Sequence, residues 1–156
     1  MDSQELRKTL ASFPTGVCVV TFTPADQPKF GITINSFSSL SMEPPLILWS
    51  LQKSSETLAV VRASNDFVVN FLCNHQQDIA TQYAKKGDHV LAEDHFIENA
   101  EGLAIIRNSL SHLVCRQYRE HDAGDHIIFI GEVREVATDD SMRPLIFHNS
   151  EFHEMP

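Results

Sequence analysis

GITINSFSSLSMEPPLILWSLQKSSET, Gly31 to Thr57, sets β-type segments on either side of a diproline and gathers hydroxyl and amide side chains at both ends. In extended backbone, successive side chains alternate between faces, so Ile32 and Ile34 turn one way and Thr33 and Asn35 the other. The polar pair is therefore displayed on one surface, and a serine-rich stretch follows it. Pro44 and Pro45 interrupt the chain because proline offers no backbone N–H. Beyond them PLILWSLQ is a nearly continuous apolar run, which predicts a strand buried on both faces.

The flanking sequence supplies partners for these strands. Upstream, Asp2 and Glu5 stand at capping-box spacing, and Leu6, Leu10 and Phe13 follow at helical intervals, predicting a short amphipathic helix over residues 3–13. GVCVVTFT is rich in β-branched residues and leads through the turn PADQP into FGITIN, the pattern of a hairpin. Downstream, SSETLAVVRAS reads as a helix and FVVNFL as a strand. Asn74 and Gln77 are placed to cap a helix through Tyr83 that Gly87 ends. Residues 87–108 read as polar and irregular. SHLVCRQYRE, HIIFIGEVREV and PLIFH are further strands, with HDAGDH turning between the first two.

Strands outnumber helices and come as hairpins rather than βαβ units, which predicts a mainly β fold: an antiparallel β-barrel with flanking helices. An open α+β sheet is the alternative. At 156 residues the chain has the size of one domain, 1–156.

Composition narrows the functions. With 42% hydrophobic and 21% charged residues the chain is of ordinary globular type. A formal charge of −9 with no Lys/Arg run argues against nucleic-acid binding. No basic leader precedes an apolar block and no long apolar run occurs, so no membrane association is expected. Cys18, Cys73 and Cys115 are far apart and odd in number, resembling neither a disulfide framework nor a zinc pair, which points to a reducing cytoplasm.

Three segments carry candidate chemistry. In KSSET, Lys53 adds a charge and Ser54, Ser55 and Thr57 add hydroxyls at a strand–helix junction; the segment is either a solvated N-cap or a phosphate seat. ITINSFSS is either a solvent-facing strand with a serine-rich loop or a ligand-facing surface. If the strand bearing Thr33 and Asn35 lies beside the one bearing Ser50, the two make a polar lane ending at KSSET, suited to a nucleotide-like ligand. In HDAGDH, His121 and His126 have no metal-site spacing, and His126 opens a strand where it faces either a ligand or only its neighbours. That spacing gives no expectation of a metal, and GxSxG, GxGxxG and Walker A patterns do not occur, so no acyl-transfer, Rossmann or P-loop chemistry is expected.

FPTGVCVVT, GITINSFSSLSMEPPLILWSLQKSSET, FVVNFL and GDHIIFIGEV, in this order and spacing, resemble the flavin reductase family of FMN-binding split barrels. That family includes the reductase components of two-component flavin monooxygenases. The likeness runs from about Leu6 to Phe152. It implies a homodimeric, Greek-key antiparallel split barrel that binds FMN or FAD, takes hydride from NADH or NADPH and supplies reduced flavin to a partner monooxygenase; the alternatives are a flavoprotein that retains FMN and passes electrons to another acceptor, and a flavin-binding module without turnover. Position by position, it implies that Thr33, Ile34, Asn35, Ser36 and Phe37 line the isoalloxazine and ribityl chain. Ser50 and Leu51 would continue that wall, Lys53, Ser54, Ser55 and Thr57 would hold the phosphate, and His126 would stand near the nicotinamide. Cys18 and the tail PLIFHNSEF depart from the family pattern.

Overall fold

The computed structural model describes residues 1–156. Helix α1 (Ser3–Ala11) is capped by Asp2, whose carboxylate accepts from Gln4 N–H. It stops short of Phe13 because Ser12 folds its N–H and hydroxyl back onto the Thr9 carbonyl. The strands then follow as β1 (Thr15–Gly16), β2 (Cys18–Phe22), β3 (Phe30–Ile34), β4 (Ser38–Met42) and β5 (Pro45–Gln52). Helix α2 (Leu58–Ala63) leads to β6 (Asp66–Phe71), and helix α3 (Gln77–Ala84) to the short hairpin β7 (Phe96–Glu98) and β8 (Ala104–Ile106). Two long strands, β9 (Ser111–Ala123) and β10 (His126–Thr138), precede β11 (Leu145–His148) and β12 (Glu151–Glu154).

Seven strands form one antiparallel sheet in the order β3-β2-β6-β9-β10-β5-β4, and β1-β11-β12 form a second. In the large sheet β3 and β4 stand at opposite edges, yet only Asn35, Ser36 and Phe37 join them. Such a link reaches at most about 14 Å, whereas six strand spacings in a flat sheet total about 29 Å. The sheet therefore rolls until its edges nearly meet, the barrel expected from the hairpin-rich pattern.

The inside of the roll is filled by Phe22, Trp49, Phe67 and Phe129, all buried, with neighbouring rings 5.0 to 6.1 Å apart. A second apolar cluster, including Val19, Leu72, Tyr83 and Leu145, lies outside it. Strand β2 is buried on both faces because α3 and β8 pack over its outer side. The strand expected to be so, β5, alternates: Ile47, Trp49 and Leu51 are buried and Leu46, Leu48 and Ser50 half-buried. Its neighbour on one side is the exposed edge strand β4.

Two other expectations are revised. Residues 87–108 contain the β7–β8 hairpin, whose Ala104 and Ile106 are buried. Buried polar groups in the sheet hold it there: the Thr21 hydroxyl donates to the Ala104 carbonyl at 2.6 Å, and Asn70 Oδ1 accepts from Ile106 N–H at 2.9 Å. Helix α3 begins after Gln76, not Asn74, and Gln76 uses its amide to accept from Cys73 N–H and donate to the Arg107 carbonyl. No helix is long and apolar enough to cross a membrane.

The link between the two edges is fastened to β5 by one side chain. The Ser36 hydroxyl accepts from Ser50 N–H at 3.0 Å and donates to the Ser50 carbonyl at 3.2 Å. This lies two residues beyond the last Ser38–Leu48 pair of the β4–β5 ladder, so a side chain continues a backbone ladder. Ser36→Ala leaves the Ser50 amide unpaired and should cost about 1–3 kcal/mol in urea unfolding. Gly131 sits at a register shift of β10, where an added Cβ would come within 2.5 Å of the Phe67 ring. Gly131→Ala should destabilise by about 1–3 kcal/mol, because the buried ring must move; an unchanged urea midpoint would contradict this packing.

Candidate functional site

Where the two edges approach, a cavity of about 450 Å³ opens between the end of β3, the end of β5, the turn after it and the loop following α3. Thr33, Ile34, Asn35 and Ser36 border it from the β3 side. Ser50 and Leu51 border it from β5, Ser54 and Ser55 from the turn, and His126 from the start of β10. These residues, scattered over the sequence, thus share one wall. β3 and β5 are not ladder neighbours, however; they meet across the gap through Ser36, rather than pairing along their length.

Phe37, Lys53 and Thr57 stand outside that wall. Phe37 packs edge-on against Phe71, with centroids 4.9 Å apart, and borders an adjoining apolar cleft of about 290 Å³ that shares Asn35 with the cavity. Lys53 donates its backbone N–H to the Asp125 carbonyl at 2.9 Å and its ammonium lies 3.2 Å from Asp122, so it fastens the turn to the β9–β10 hairpin. Thr57 is buried behind Ser55. Ser55 Oγ accepts from Thr57 N–H at 3.3 Å and shares a 2.8 Å bond with the Thr57 hydroxyl. With Thr57 as donor in that bond, the Ser55 hydrogen is free to point into the cavity.

Several hydroxyls on the wall already have structural work. Thr33 donates to the Ala80 carbonyl at 2.7 Å, tying β3 to α3, and Ser36 is engaged with Ser50. Because α2 spans six residues, its dipole contributes little at KSSET.

His126 is oriented by its neighbour. Its Nδ1 lies 2.7 Å from an Asp125 carboxylate oxygen, and a carboxylate can only accept, so Nδ1 carries the hydrogen and Nε2 is left to face other groups. The bond and the charge of His126, helped by Lys53, hold the Asp125 carboxyl below the usual carboxylate range. Neither Cys18 nor Cys115 competes for a role: burial pushes both up to about 12, leaving them protonated near neutrality.

The end of α3 and the loop after it complete the cavity with groups that sequence reading passed over, Tyr83 from the helix and Lys86 and His89 from the loop. The Tyr83 hydroxyl accepts from Ala92 N–H at 3.0 Å and bonds His95 Nδ1 at 2.7 Å, pinning the loop; burial pushes its pKa up. Glu56 reaches across from the turn, accepting from Gly87 N–H and lying 3.3 Å from His89 Nε2. The basic pair in YAKKGDH was the available signal, but nothing local ties it to KSSET, which lies some thirty residues earlier.

In volume the cavity falls within the usual range for a small-molecule site. Its lining is mainly polar, with the amide of Asn35, the hydroxyls of Ser54 and Ser55, the Glu56 carboxylate and the Lys86 ammonium, while its aliphatic members Ile32, Ile34 and Leu51 are buried parts of the core cluster. That set fits a phosphate-bearing polar ring compound such as a flavin: amide and hydroxyl groups for the ring edge and its side chain, and hydroxyl donors with a cation for the phosphate.

Comparison with known proteins agrees in kind. A model of the flavin reductase like domain matches residues 10–156. The chain is 38% identical over 151 residues to the FMN reductase (NADH) SmoA of Agrobacterium fabrum, covering 97% of this chain and 85% of that protein. It is 32% identical over 152 residues to HsaB of Rhodococcus jostii, the reductase subunit of a flavin-dependent monooxygenase, covering 97% and 77%. The Streptomyces globisporus NADH:FAD oxidoreductase SgcE6, solved with NAD and FAD fragments, superposes with a TM-score of 0.91 at 30% identity, covering 99% of this chain and 93% of that one. With the family model spanning nearly all of its length, the chain belongs to the flavin reductase like domain family.

Proposed function

We propose that the chain is an NAD(P)H-dependent flavin reductase that transfers hydride from NADH or NADPH to FMN or FAD and supplies the reduced flavin to a partner monooxygenase. The observation that carries this reading is the cavity itself, lined by serine hydroxyls, an asparagine amide and a lysine at the seam of the roll, in a chain of this family.

When bound, flavin supplies a hydride acceptor at N5, so the protein has only to bring nicotinamide C4 to it. The β3 and β5 backbones that carry Ile32, Ile34 and Leu51, with those side chains buried in the core, form the wall against which the ring lies. Asn35, at the junction of the cavity and the apolar cleft, presents its amide to the ring edge. Ser54, Ser55 and Lys86 hold the phosphate, with Thr57 orienting Ser55 from behind and Lys53 fixing the turn. His126, aimed by Asp125, presents Nε2 at the mouth, where a nicotinamide carboxamide would lie. No protein nucleophile is required, in keeping with two thiols held protonated by burial.

A homodimer is part of the same proposal. Helix α1 buries none of its residues, and Leu10 and Phe13 stand 64% and 75% exposed, an apolar stripe that a second copy would cover. A reducing, cytoplasmic setting suits three free, buried cysteines.

Purified protein mixed with NADH or NADPH and free FMN or FAD should bleach the flavin absorbance; no bleaching with any pairing would end the reductase reading. Asn35→Ala and Ser55→Ala should each weaken flavin binding about 5- to 30-fold, the equivalent of one lost hydrogen bond of about 1–2 kcal/mol, in a fluorescence titration. His126→Ala should raise the KM for nicotinamide more than that for flavin, and the reverse pattern would count against its placement.

A further inference from the structure

Two side chains tie facing walls of the cavity together. Ser36, from the β3 side, bonds the Ser50 backbone; Glu56, in the turn after β5, reaches the loop after α3, where it accepts from Gly87 N–H and lies 3.3 Å from His89 Nε2. That loop is anchored at both ends. Lys85 N–H donates to the Gln82 carbonyl where α3 stops, and from His89 onward the chain runs beside β3: the His89 carbonyl accepts from Gly31 N–H and Leu91 N–H donates to the Lys29 carbonyl, both at 2.8 Å. Between the anchors Lys85, Lys86, Gly87 and Asp88 are exposed, and the one hydrogen bond joining them to the wall across the cavity is that of Gly87 to Glu56.

Lys86 stands next to Gly87 and forms no ion pair of its own. An exposed lysine on an untied loop loses backbone and side-chain freedom when it receives a phosphate, and that ordering subtracts from the affinity gained. Glu56 meets part of this requirement before any ligand arrives, because it fixes the backbone beside Lys86. Its charge is not left to repel a phosphate: His89 Nδ1 donates to the Gly31 carbonyl at 3.1 Å, and a second hydrogen on Nε2 sets a cation against the carboxylate. On the reading that Ser54, Ser55 and Lys86 receive the flavin phosphate, we infer that Glu56 is a positioning residue, acting through Gly87 to present Lys86 to that phosphate.

Riboflavin has the ring and ribityl chain of FMN without the phosphate, so the ratio of its Kd to that of FMN isolates what the phosphate end contributes. The Glu56 side chain is 40% exposed, and its removal spares the core. In fluorescence titrations of the full chain, Glu56→Ala should lower the ratio about three- to tenfold, with the loss falling on FMN. Glu56→Gln, which keeps an acceptor oxygen for Gly87, should retain it. Lys86→Gln should lower the ratio as well, and the double variant Glu56→Ala, Lys86→Gln should lower it no further than Lys86→Gln alone, because Glu56 works through that lysine. A higher ratio in Glu56→Ala would mark the carboxylate as a repelling charge and overturn the inference. So would Glu56→Ala weakening both ligands alike, the effect of a purely structural clasp, Glu56→Gln behaving like Glu56→Ala, or additivity in the double variant. If Lys86→Gln leaves the ratio unchanged, the phosphate reading of this end fails and the inference falls with it. If Lys86→Gln lowers it and Glu56→Ala does not, the inference alone fails.

Discussion

The site depends on one topological constraint: the chain must pass from one edge of a seven-stranded sheet to the other in three residues, Asn35 to Phe37. Covalent geometry leaves a flat sheet no way to satisfy this, so rolling is imposed by connectivity and filled afterwards by Phe22, Trp49, Phe67 and Phe129. The crossing residues then lie at the seam, where ladder hydrogen bonding between β3 and β4 is missing. A seam of this kind exposes polar backbone and accepts polar side chains at little cost, since water or a ligand can satisfy them. The position of the cavity follows from where the sheet fails to close.

Buried polar groups extend the same logic outward. Asn70 and Thr21, both buried in the sheet, hold the β7–β8 hairpin over β2, and Thr33 ties β3 to α3. Each bond is a partner the sheet ladder cannot provide, and leaving any of these groups unpaired would cost more than the bond contributes. As a result α3 and its following loop are fixed against the outer face of the roll. Tyr83, bonded to Ala92 N–H and His95, carries that constraint to the loop that brings Lys86 and His89 to the cavity.

Much of the fold was legible because strand periodicity and turn chemistry are local. The β2–β3 hairpin follows from GVCVVTFT, PADQP and FGITIN, and the β9–β10 hairpin from the turn at HDAGDH. Burial on the second face of a strand is not local. PLILWSLQ is as apolar as CVVTF, yet β2 is covered on its outer side by α3 and β8 and β5 is only half-covered. Residues 87–108 were obscure for a related reason: AII is too short for a strand signal, and its hairpin is held by Thr21 and Asn70, distant in sequence.

The site divides along the same line. Alternation put Thr33 and Asn35 on one face, and both border the cavity, but residue type cannot reveal which hydroxyl is already taken. Thr33 and Ser36 are committed to Ala80 and Ser50, and Thr57 stands behind Ser55, so three hydroxyls that look alike in sequence differ in what they can offer a ligand. A hydroxyl has one hydrogen, and once its direction is set by a backbone carbonyl it cannot also be donated to a phosphate. The donors left over, Asn35, Ser54, Ser55 and Lys86, come from three separate segments. Closure of the roll and the docking of α3 with its loop bring them together, so no motif within any one segment contains the whole site.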